Sequence, residues 1–292
     1  MSSLKDFQGL GIPLRDIILA TKNFADEYMI EKDALGTVYK GKLVRQTLTF
    51  KRVHGIDESD FCNEIMFLAN LKHQNIVSFI GFCHEDREMI LIFDFPTYGS
   101  LQRYLSLAQL TWLMRVQICL DTACGLRYLH ENPSQSIIHR DLTSDSIQLY
   151  ENWQAKINLS KIINVKFDCT FYPDPPGIAA YLDPEYMHTG KLTKKSDIYA
   201  FGVILFEVLC ERQAYMMDKD SELPFLSLVR RHYTSGTLTE IIDPVLRVQM
   251  NRDSLNVFSM LAYQCLEVAV NRFGACWCKQ FSLERVRLKV RV

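Results

Sequence analysis

The four residues Ile138-His139-Arg140-Asp141 (IHRD) lie between two apolar segments, and these three stretches decide the fold. Upstream, Thr111–Asn132 reads TWLMRVQICLDTACGLRYLHEN and has apolar residues on several faces of a helix. Downstream, Lys194–Cys210 reads KKSDIYAFGVILFEVLC. Its apolar part, Ile198–Cys210, is interrupted by Glu207 and is too short to span a bilayer. Because a helix that is apolar on most sides is buried, we predict that both segments form the core of a helical region.

The first third of the chain has a different pattern. Gly36–Leu43 (GTVYKGKL) and Thr47–Val53 (TLTFKRV) are rich in β-branched and aromatic residues and are typical of a strand pair. Ser59–His73 has apolar residues at helical spacing, and Asn75–Phe95 is typical of two strands around an acidic turn. These elements predict a small antiparallel sheet with one helix.

The two patterns together predict an α+β chain with two unequal lobes and a cleft between them. We assign residues 1–26 to a leader segment, 27–95 to the smaller lobe and 96–292 to the larger, helical lobe. Three further segments are predicted to be peripheral helices: LPFLSLVRRHY, DSLNVFSMLAYQCLEV and FSLERVRLKV.

Composition excludes several classes of function. The chain has 292 residues, and its 33 basic and 34 acidic side chains give a net charge of -1, so no charge field favours nucleic acid or an anionic membrane. Its nine cysteines are odd in number and irregularly spaced, which indicates reduced thiols in an intracellular protein. Cys276 and Cys278 form a lone C-x-C pair, too few ligands for a metal site.

Further motifs accompany IHRD in a fixed order. YLDPEY stands at residues 181–186 and KSDIYAFGV at 195–203, with Lys51 and Glu64 upstream. This ordered set resembles the eukaryotic protein-kinase domain. LRDIILATKNF at 14–24 and HQNIVSFIGFC at 73–83 make the chain similar to plant receptor-like Ser/Thr kinases, particularly the malectin-receptor branch. The resemblance runs from about Leu14 to Arg272 and implies a transferase fold that uses ATP and Mg²⁺ in signalling.

The resemblance implies roles for several residues. Lys51 would hold the α- and β-phosphates and Glu64 would hold Lys51, although the pair could instead serve only to dock a helix on the sheet. Asp141 would orient the substrate hydroxyl. The remaining positions implied in the ATP site are Gly36, Val38, Phe93 and Phe95.

The ATP positions depart from the family pattern. A close-fitting phosphate loop needs glycine, but Glu31 and Asp33 stand where the family has its first two glycines. Each carboxylate near a phosphate opposes binding by about 1 kcal/mol or more. Thr49 stands where Ala is usual and Gln148 where Leu is usual, and both disfavour a stacked adenine.

The metal positions depart further. Ser146 replaces the family's Asn, and Asn158-Leu159-Ser160 stands in place of DFG, unless DFG is deleted and Leu159-Ser160-Lys161 follows the gap. In either alignment no Asp or Glu lies between Glu151 and Asp168, whereas hard divalent cations prefer carboxylates. Thr143 and Ile178 replace the lysine and threonine that the family pairs near the transferred phosphate.

Scaffold residues fit the family better. The resemblance implies that Asp197 holds the backbone at His139 and Arg140, and that Glu185 pairs with Arg272. Arg140 would bind a phosphorylated activation segment, in which Thr170 is the candidate phosphosite, while Tyr181 is expected to be packed.

Three interpretations remain open. The first is a pseudokinase that serves as a scaffold or regulator of active receptor-like kinases. The second is a weakly active ATP-dependent Ser/Thr kinase, and the third is a decayed duplicate without function. We expect other protein kinases or signalling proteins as partners, no nucleic acid, no membrane span in this chain, and a cytoplasmic location or a peripheral one at the plasma membrane.

Overall fold

The structure, a computed structural model, describes residues 7, 9–107, 109–132, 137–159, 179–215 and 223–267. Their contacts divide the chain into two compact units. The N-terminal unit takes the described residues up to Thr97 together with Asn158 and Leu159. The C-terminal unit takes the described residues of Tyr98–Ile157 and those from Ala179 onward.

A five-stranded antiparallel sheet forms the body of the N-terminal unit. Its strands follow the order β1-β2-β3-β5-β4. Their bounds are β1 (Met29–Asp33), β2 (Gly36–Leu43), β3 (Gln46–Val53), β4 (Phe79–Glu85) and β5 (Glu88–Asp94). Asp86 and Arg87 join β4 to β5 with φ of 51° and 67°, as two-residue hairpins that match the strand twist require.

The N-terminal unit also has two helices, α1 (Leu14–Ala20) before the strands and α2 (Glu58–Ala69) between β3 and β4. Asp57 caps α2 by accepting a hydrogen bond from Asp60 N at 2.8 Å. The helix ends at Ala69, earlier than the predicted His73, and its C-cap residue Asn70 donates from its side chain to Met66 O at 2.7 Å.

Helix α1 contributes to the core of the N-terminal unit. Leu14, Ile17 and Ala20 are buried in one cluster with residues of four strands: Tyr39, Leu48, Phe50, Cys83, Ile90 and Ile92. Leu14 N also donates to Glu85 Oε2 at 3.0 Å. The apolar face of α1, which lies within the segment assigned as the leader over 1–26, therefore covers one face of the sheet.

The C-terminal unit is mainly helical. Its helices are α3 (Trp112–His130), α4 (Pro184–Thr189), α5 (Lys194–Cys210), α6 (Phe225–Thr234), α7 (Pro244–Arg247) and α8 (Arg252–Glu267). Helix α5 is buried from Ser196 to Cys210. Gly202 allows α8 to approach α5, because a Cβ at this position would lie 2.7 Å from Cys265 Cβ. The predicted antiparallel-sheet lobe and helical lobe are confirmed, while the predicted FSLERVRLKV helix lies outside the described residues.

The C-terminal unit contains a three-stranded sheet that the sequence analysis did not predict. Its strands are β6 (Gly99–Ser100), β7 (Ile147–Leu149) and β8 (Ala155–Ile157), in that order. Strands of two or three residues are too short for an alternating pattern to be recognised in the sequence. This sheet positions the loop that follows IHRD.

In the described ranges no helix is long and apolar enough to cross a bilayer. The six described cysteines are free thiols, and four of them are buried: Cys83, Cys119, Cys210 and Cys265. Cys169, Cys276 and Cys278 lie outside the described residues.

We predict that Ile17→Ala destabilises the protein by about 3 kcal/mol, because it leaves a cavity at a fully buried position. Leu19→Ala on the same helix is the control, since Leu19 is 77% exposed and its truncation should cost less than about 0.5 kcal/mol. Urea denaturation measures both. Equal effects of the two substitutions would contradict the placement of α1 in the core.

Candidate functional site

The IHRD turn is held by a buried carboxylate. Asp197, in the first turn of α5, is 1% exposed. Its Oδ2 accepts from His139 N at 2.7 Å and its Oδ1 accepts from Arg140 N at 2.9 Å. Arg140 has a φ of 73°, a left-handed conformation that a side chain adopts only when its surroundings enforce it. The two hydrogen bonds to Asp197 provide that constraint.

His130 belongs to this arrangement, although sequence reasoning did not single it out. Its Nε2 lies 2.8 Å from Asp197 Oδ2, and the ring is 3% exposed. The signal was the position of His130 in LRYLHEN, at the end of the buried helix α3. The carboxylate of Asp197 thus joins the ends of two core helices to the IHRD turn.

Asp141 lies at the edge of a small cavity in the C-terminal unit. The cavity has a volume of about 20 Å³, which is room for one water molecule. Arg140, Asp183, Tyr186 and Asp197 also line it. Asp141 as a whole is half-buried.

The hydroxyl of Ser146 is engaged with the main chain. Ser146 Oγ donates to Thr143 O at 2.8 Å and accepts from Thr143 N at 3.0 Å. The side chain is 5% exposed. A serine hydroxyl has one proton and two lone pairs, so only one lone pair remains for any other partner.

Gln148 has a partner for its amide. It lies on β7, opposite Ser100 and Lys156, and its Nε2 donates to Asp145 O at 2.8 Å. The half-buried amide therefore avoids the free-energy cost of an unpaired polar group.

Asn158 and Leu159 directly follow β8 and group with the N-terminal unit, where Leu159 is 2% exposed. Ser160, Lys161 and Ile178 lie outside the described residues, as does Thr170. Within the described ranges, no group of three or more His, Cys, Asp or Glu side chains could hold a metal ion.

Lys51 and Glu64 are both buried in the N-terminal unit. Lys51 lies on β3 between Val38 of β2 and Leu91 of β5, and it is 2% exposed. Glu64 lies on α2 and is 4% exposed. Burial raises the pKa of Glu64 to about 8, and the charge of Lys51 opposes this rise without cancelling it. Among the described residues, Glu64 Oε1 has no hydrogen-bond partner.

Gly36 begins β2 opposite Val53 of β3. A Cβ on Gly36 would lie 2.3 Å from Arg52 O, and its φ is 155°. Any side chain at this position would force the two strands apart, so close strand pairing alone requires this glycine.

Asp33 ends β1 and its carboxylate faces the turn into β2. Asp33 Oδ1 accepts from Leu35 N at 2.8 Å and from Gly36 N at 2.9 Å. Glu31, two residues earlier, is exposed and lies opposite Val38. Both carboxylates are therefore on the β1–β2 hairpin.

The remaining predicted ATP positions lie on β3, on β5 and just after it. Thr49 pairs with Phe93 across the two strands. Phe93 is 2% exposed and packs edge-on against Phe79 with ring centroids 5.7 Å apart. Phe95 is half-buried just past the end of β5, and its N donates to Asp94 Oδ1 at 3.1 Å.

The YLDPEY motif is anchored in the C-terminal unit. Tyr181 is buried, as predicted, and its hydroxyl donates to Glu207 Oε1 at 2.6 Å. Glu185 forms an exposed ion pair with Lys195 at 3.7 Å. The predicted partner of Glu185, Arg272, lies outside the described residues, so that pair stays a prediction.

We predict that the free energy of unfolding decreases as the pH rises from 5 to 8. The folded protein keeps a proton on Glu64, with its pKa of about 8, that the unfolded chain releases near 4.5. Stability from this group is therefore complete below the unfolded value and is lost towards pH 8, by about 1 kcal/mol per pH unit. Glu207, whose pKa burial raises to about 7, acts in the same direction.

Glu64→Gln should make this pH dependence shallower, because glutamine carries no proton to release. Asp26→Asn is the control, since Asp26 is exposed. Denaturation curves at several pH values measure the slope. An unchanged slope in Glu64→Gln would show that Glu64 does not carry the effect.

Comparison with known proteins places this geometry in a family. A family model described as protein tyrosine and serine/threonine kinase matches residues 27–251. The chain is similar to the receptor-like protein kinase FERONIA of Arabidopsis thaliana, with 35% identity over 285 residues, which is 92% of this chain and 32% of FERONIA. It is 38% identical to HERK 1 of the same plant, over 87% of this chain and 32% of HERK 1.

ANXUR2, another receptor-like protein kinase of Arabidopsis thaliana, is 39% identical over 87% of this chain and 31% of its own length. The chain thus spans about a third of the length of the curated relatives that it matches. The family match covers most of both structural units, including β3, α2, the IHRD turn and α5. The chain therefore belongs to the protein tyrosine and serine/threonine kinase family, and receptor-like protein kinases are among its similar relatives.

Proposed function

We propose that this member of the kinase family is a pseudokinase, a scaffold or regulator of active receptor-like kinases. One observation carries the proposal. The sequence has no Asp or Glu between Glu151 and Asp168, the stretch in which the family places its main metal-binding carboxylate. A hard divalent cation depends on such a ligand, so Mg²⁺ does not fit the residues present.

The second family position for the metal supports the same proposal. Ser146 stands there, and its hydroxyl both donates to and accepts from the main chain of Thr143. Its single remaining lone pair is a poor substitute for an amide or carboxylate oxygen. The hydrogen bonds between Ser146 and Thr143 hold this turn without a bound ion.

The buried pair of the N-terminal unit also supports it. Burial raises the pKa of Glu64, which favours its neutral form and weakens the negative charge that it can offer Lys51. Phosphoryl transfer in the family depends on that ion pair being in place. Here Lys51 and Glu64 serve, in this proposal, to fix α2 against the sheet.

What the chain retains supports the scaffold part of the proposal. The core of each unit and the Asp197 anchor are present, while the family's metal-binding positions carry other residues in the sequence. The relatives are named as receptor-like protein kinases, which makes kinases or signalling proteins the partners we propose.

A thermal-shift experiment with ATP tests the proposal. We expect no change in Tm on addition of ATP with Mg²⁺ or Mn²⁺, and no difference when EDTA replaces the metal. A ligand at 100 times its Kd would stabilise the fold by about 2.7 kcal/mol, which raises the Tm by several degrees. A clear metal-dependent rise would contradict the pseudokinase proposal. A single cooperative melt would count against a decayed, unfolded duplicate.

Weak Ser/Thr kinase activity is the second candidate function, and one observation favours it. The turn that carries Asp141 is held at His139 and Arg140 by Asp197, so the residue that would orient a substrate hydroxyl sits on an intact loop. Lys51 and Glu64 are also retained.

Asp141→Asn decides this alternative. If the protein transfers phosphate at all, the substitution should reduce the rate by a factor of about 100 or more, because the hydroxyl loses its base. Asp145→Asn in the same loop is the control and should retain the activity. Transfer of radiolabelled phosphate to a generic protein substrate is the measurement. Equal rates in the wild type and Asp141→Asn would assign any signal to a contaminating kinase.

A further inference from the structure

The hairpin turn between β1 and β2 bears on phosphate binding, and what we infer from it rests on the proposed function and extends it. Asp33 and Gly36 face each other across the turn, with only Ala34 and Leu35 between them. Asp33 and Leu35 are both exposed, so the turn is accessible to solvent.

Two main-chain N–H groups of this turn converge on one oxygen atom. Leu35 N lies 2.8 Å and Gly36 N lies 2.9 Å from Asp33 Oδ1. Nearby backbone N–H groups that point at one spot form a concave site for an anion. The anion in this turn is the carboxylate of the chain itself.

The shape of the turn does not depend on that carboxylate alone. Gly36 lies so close to β3 that a Cβ would be 2.3 Å from Arg52 O. Pairing continues along the hairpin, with Lys32 opposite Thr37 and Glu31 opposite Val38. The sheet thus holds the turn from both sides, and the N–H groups should stay close together if the side chain of Asp33 is removed.

We propose that Asp33 is an internal substitute for phosphate, which closes this turn against polyphosphate ligands. It acts in two ways. Its oxygen occupies the two donors that a phosphate oxygen would need, and its charge repels the incoming anion. Glu31 adds charge on the same strand, whereas the carboxylate of Asp33 itself accepts from Leu35 N and Gly36 N of the turn. Removal of Asp33 should therefore open an anion site that the wild type lacks.

The test uses inorganic tripolyphosphate, which has no base and therefore does not depend on the adenine positions. Amide chemical shifts of Leu35 and Gly36 in ¹⁵N-labelled protein report binding at the turn itself. We expect no saturable shift in the wild type. In Asp33→Gly we expect saturable shifts at both amides and an affinity at least about tenfold higher, equivalent to about 1.4 kcal/mol.

Three further variants separate the causes. Asp33→Asn keeps a side-chain oxygen that can accept from the turn but loses the negative charge. Its affinity for tripolyphosphate should therefore lie between those of the wild type and Asp33→Gly. Glu31→Gln removes a charge on the same strand but leaves the carboxylate of Asp33 in the turn. Its increase in affinity for tripolyphosphate should be smaller than that of Asp33→Asn. Asp26→Asn, at an exposed aspartate before β1, is the matched control and should behave as the wild type.

Each outcome decides the proposal. Saturable binding by the wild type at these amides, or no binding by folded Asp33→Gly, would overturn it. An equal increase in affinity in Glu31→Gln and Asp33→Gly would mean that Asp33 acts only as one of several negative charges. That result would also overturn the proposal. The pseudokinase proposal is judged separately, by the response of the wild type to ATP with metal, so either proposal can fail without the other.

Discussion

The carboxylate of Asp197 connects the most deeply buried helix of the C-terminal unit to the IHRD turn. It accepts hydrogen bonds from two main-chain N–H groups and contacts the ring of His130, all at 2.7 to 2.9 Å. A buried charge is tolerated only when it is paired in this way, and removal of its partners is strongly destabilising. Since α5 belongs to the core, the loop that carries Asp141 and Ser146 keeps its shape as a requirement of folding, whether or not the protein transfers phosphate.

The same requirement explains which parts of the fold the sequence predicts. Lys194–Cys210 is predicted with its observed bounds from its apolar residues, and in the structure a capping box of Thr193 and Ser196 closes its first turn. The strands β2 and β3 are likewise evident from β-branched and aromatic residues. The strands β6 to β8 are too short for such a signal, and the burial of α1 depends on a distant sheet that no local pattern reveals.

The sequence predicts which positions correspond to the family's site residues, but it does not predict the contacts that these residues make. The sequence places Asp33, Ser146 and Gln148 where the family has other residues, which predicts weakened nucleotide and metal binding. It does not reveal that each of these side chains has a main-chain hydrogen-bond partner: Leu35 and Gly36, Thr143, and Asp145. Nor does it reveal the raised pKa of Glu64, which arises from burial in the folded unit. Substituted polar residues are thus integrated into the local structure.

The burial of α1 against the sheet affects which residues must be included when this domain is expressed. The family match covers residues 27–251, yet α1 lies before it and α8 after it. A shortened protein with those limits would lose Ile17 from one core and Phe258 and Leu266 from the other, all of which are fully buried. The uncovered apolar surface would favour aggregation during expression. Domain limits chosen from homology alone would therefore give an insoluble product that could be mistaken for evidence of a degenerate gene.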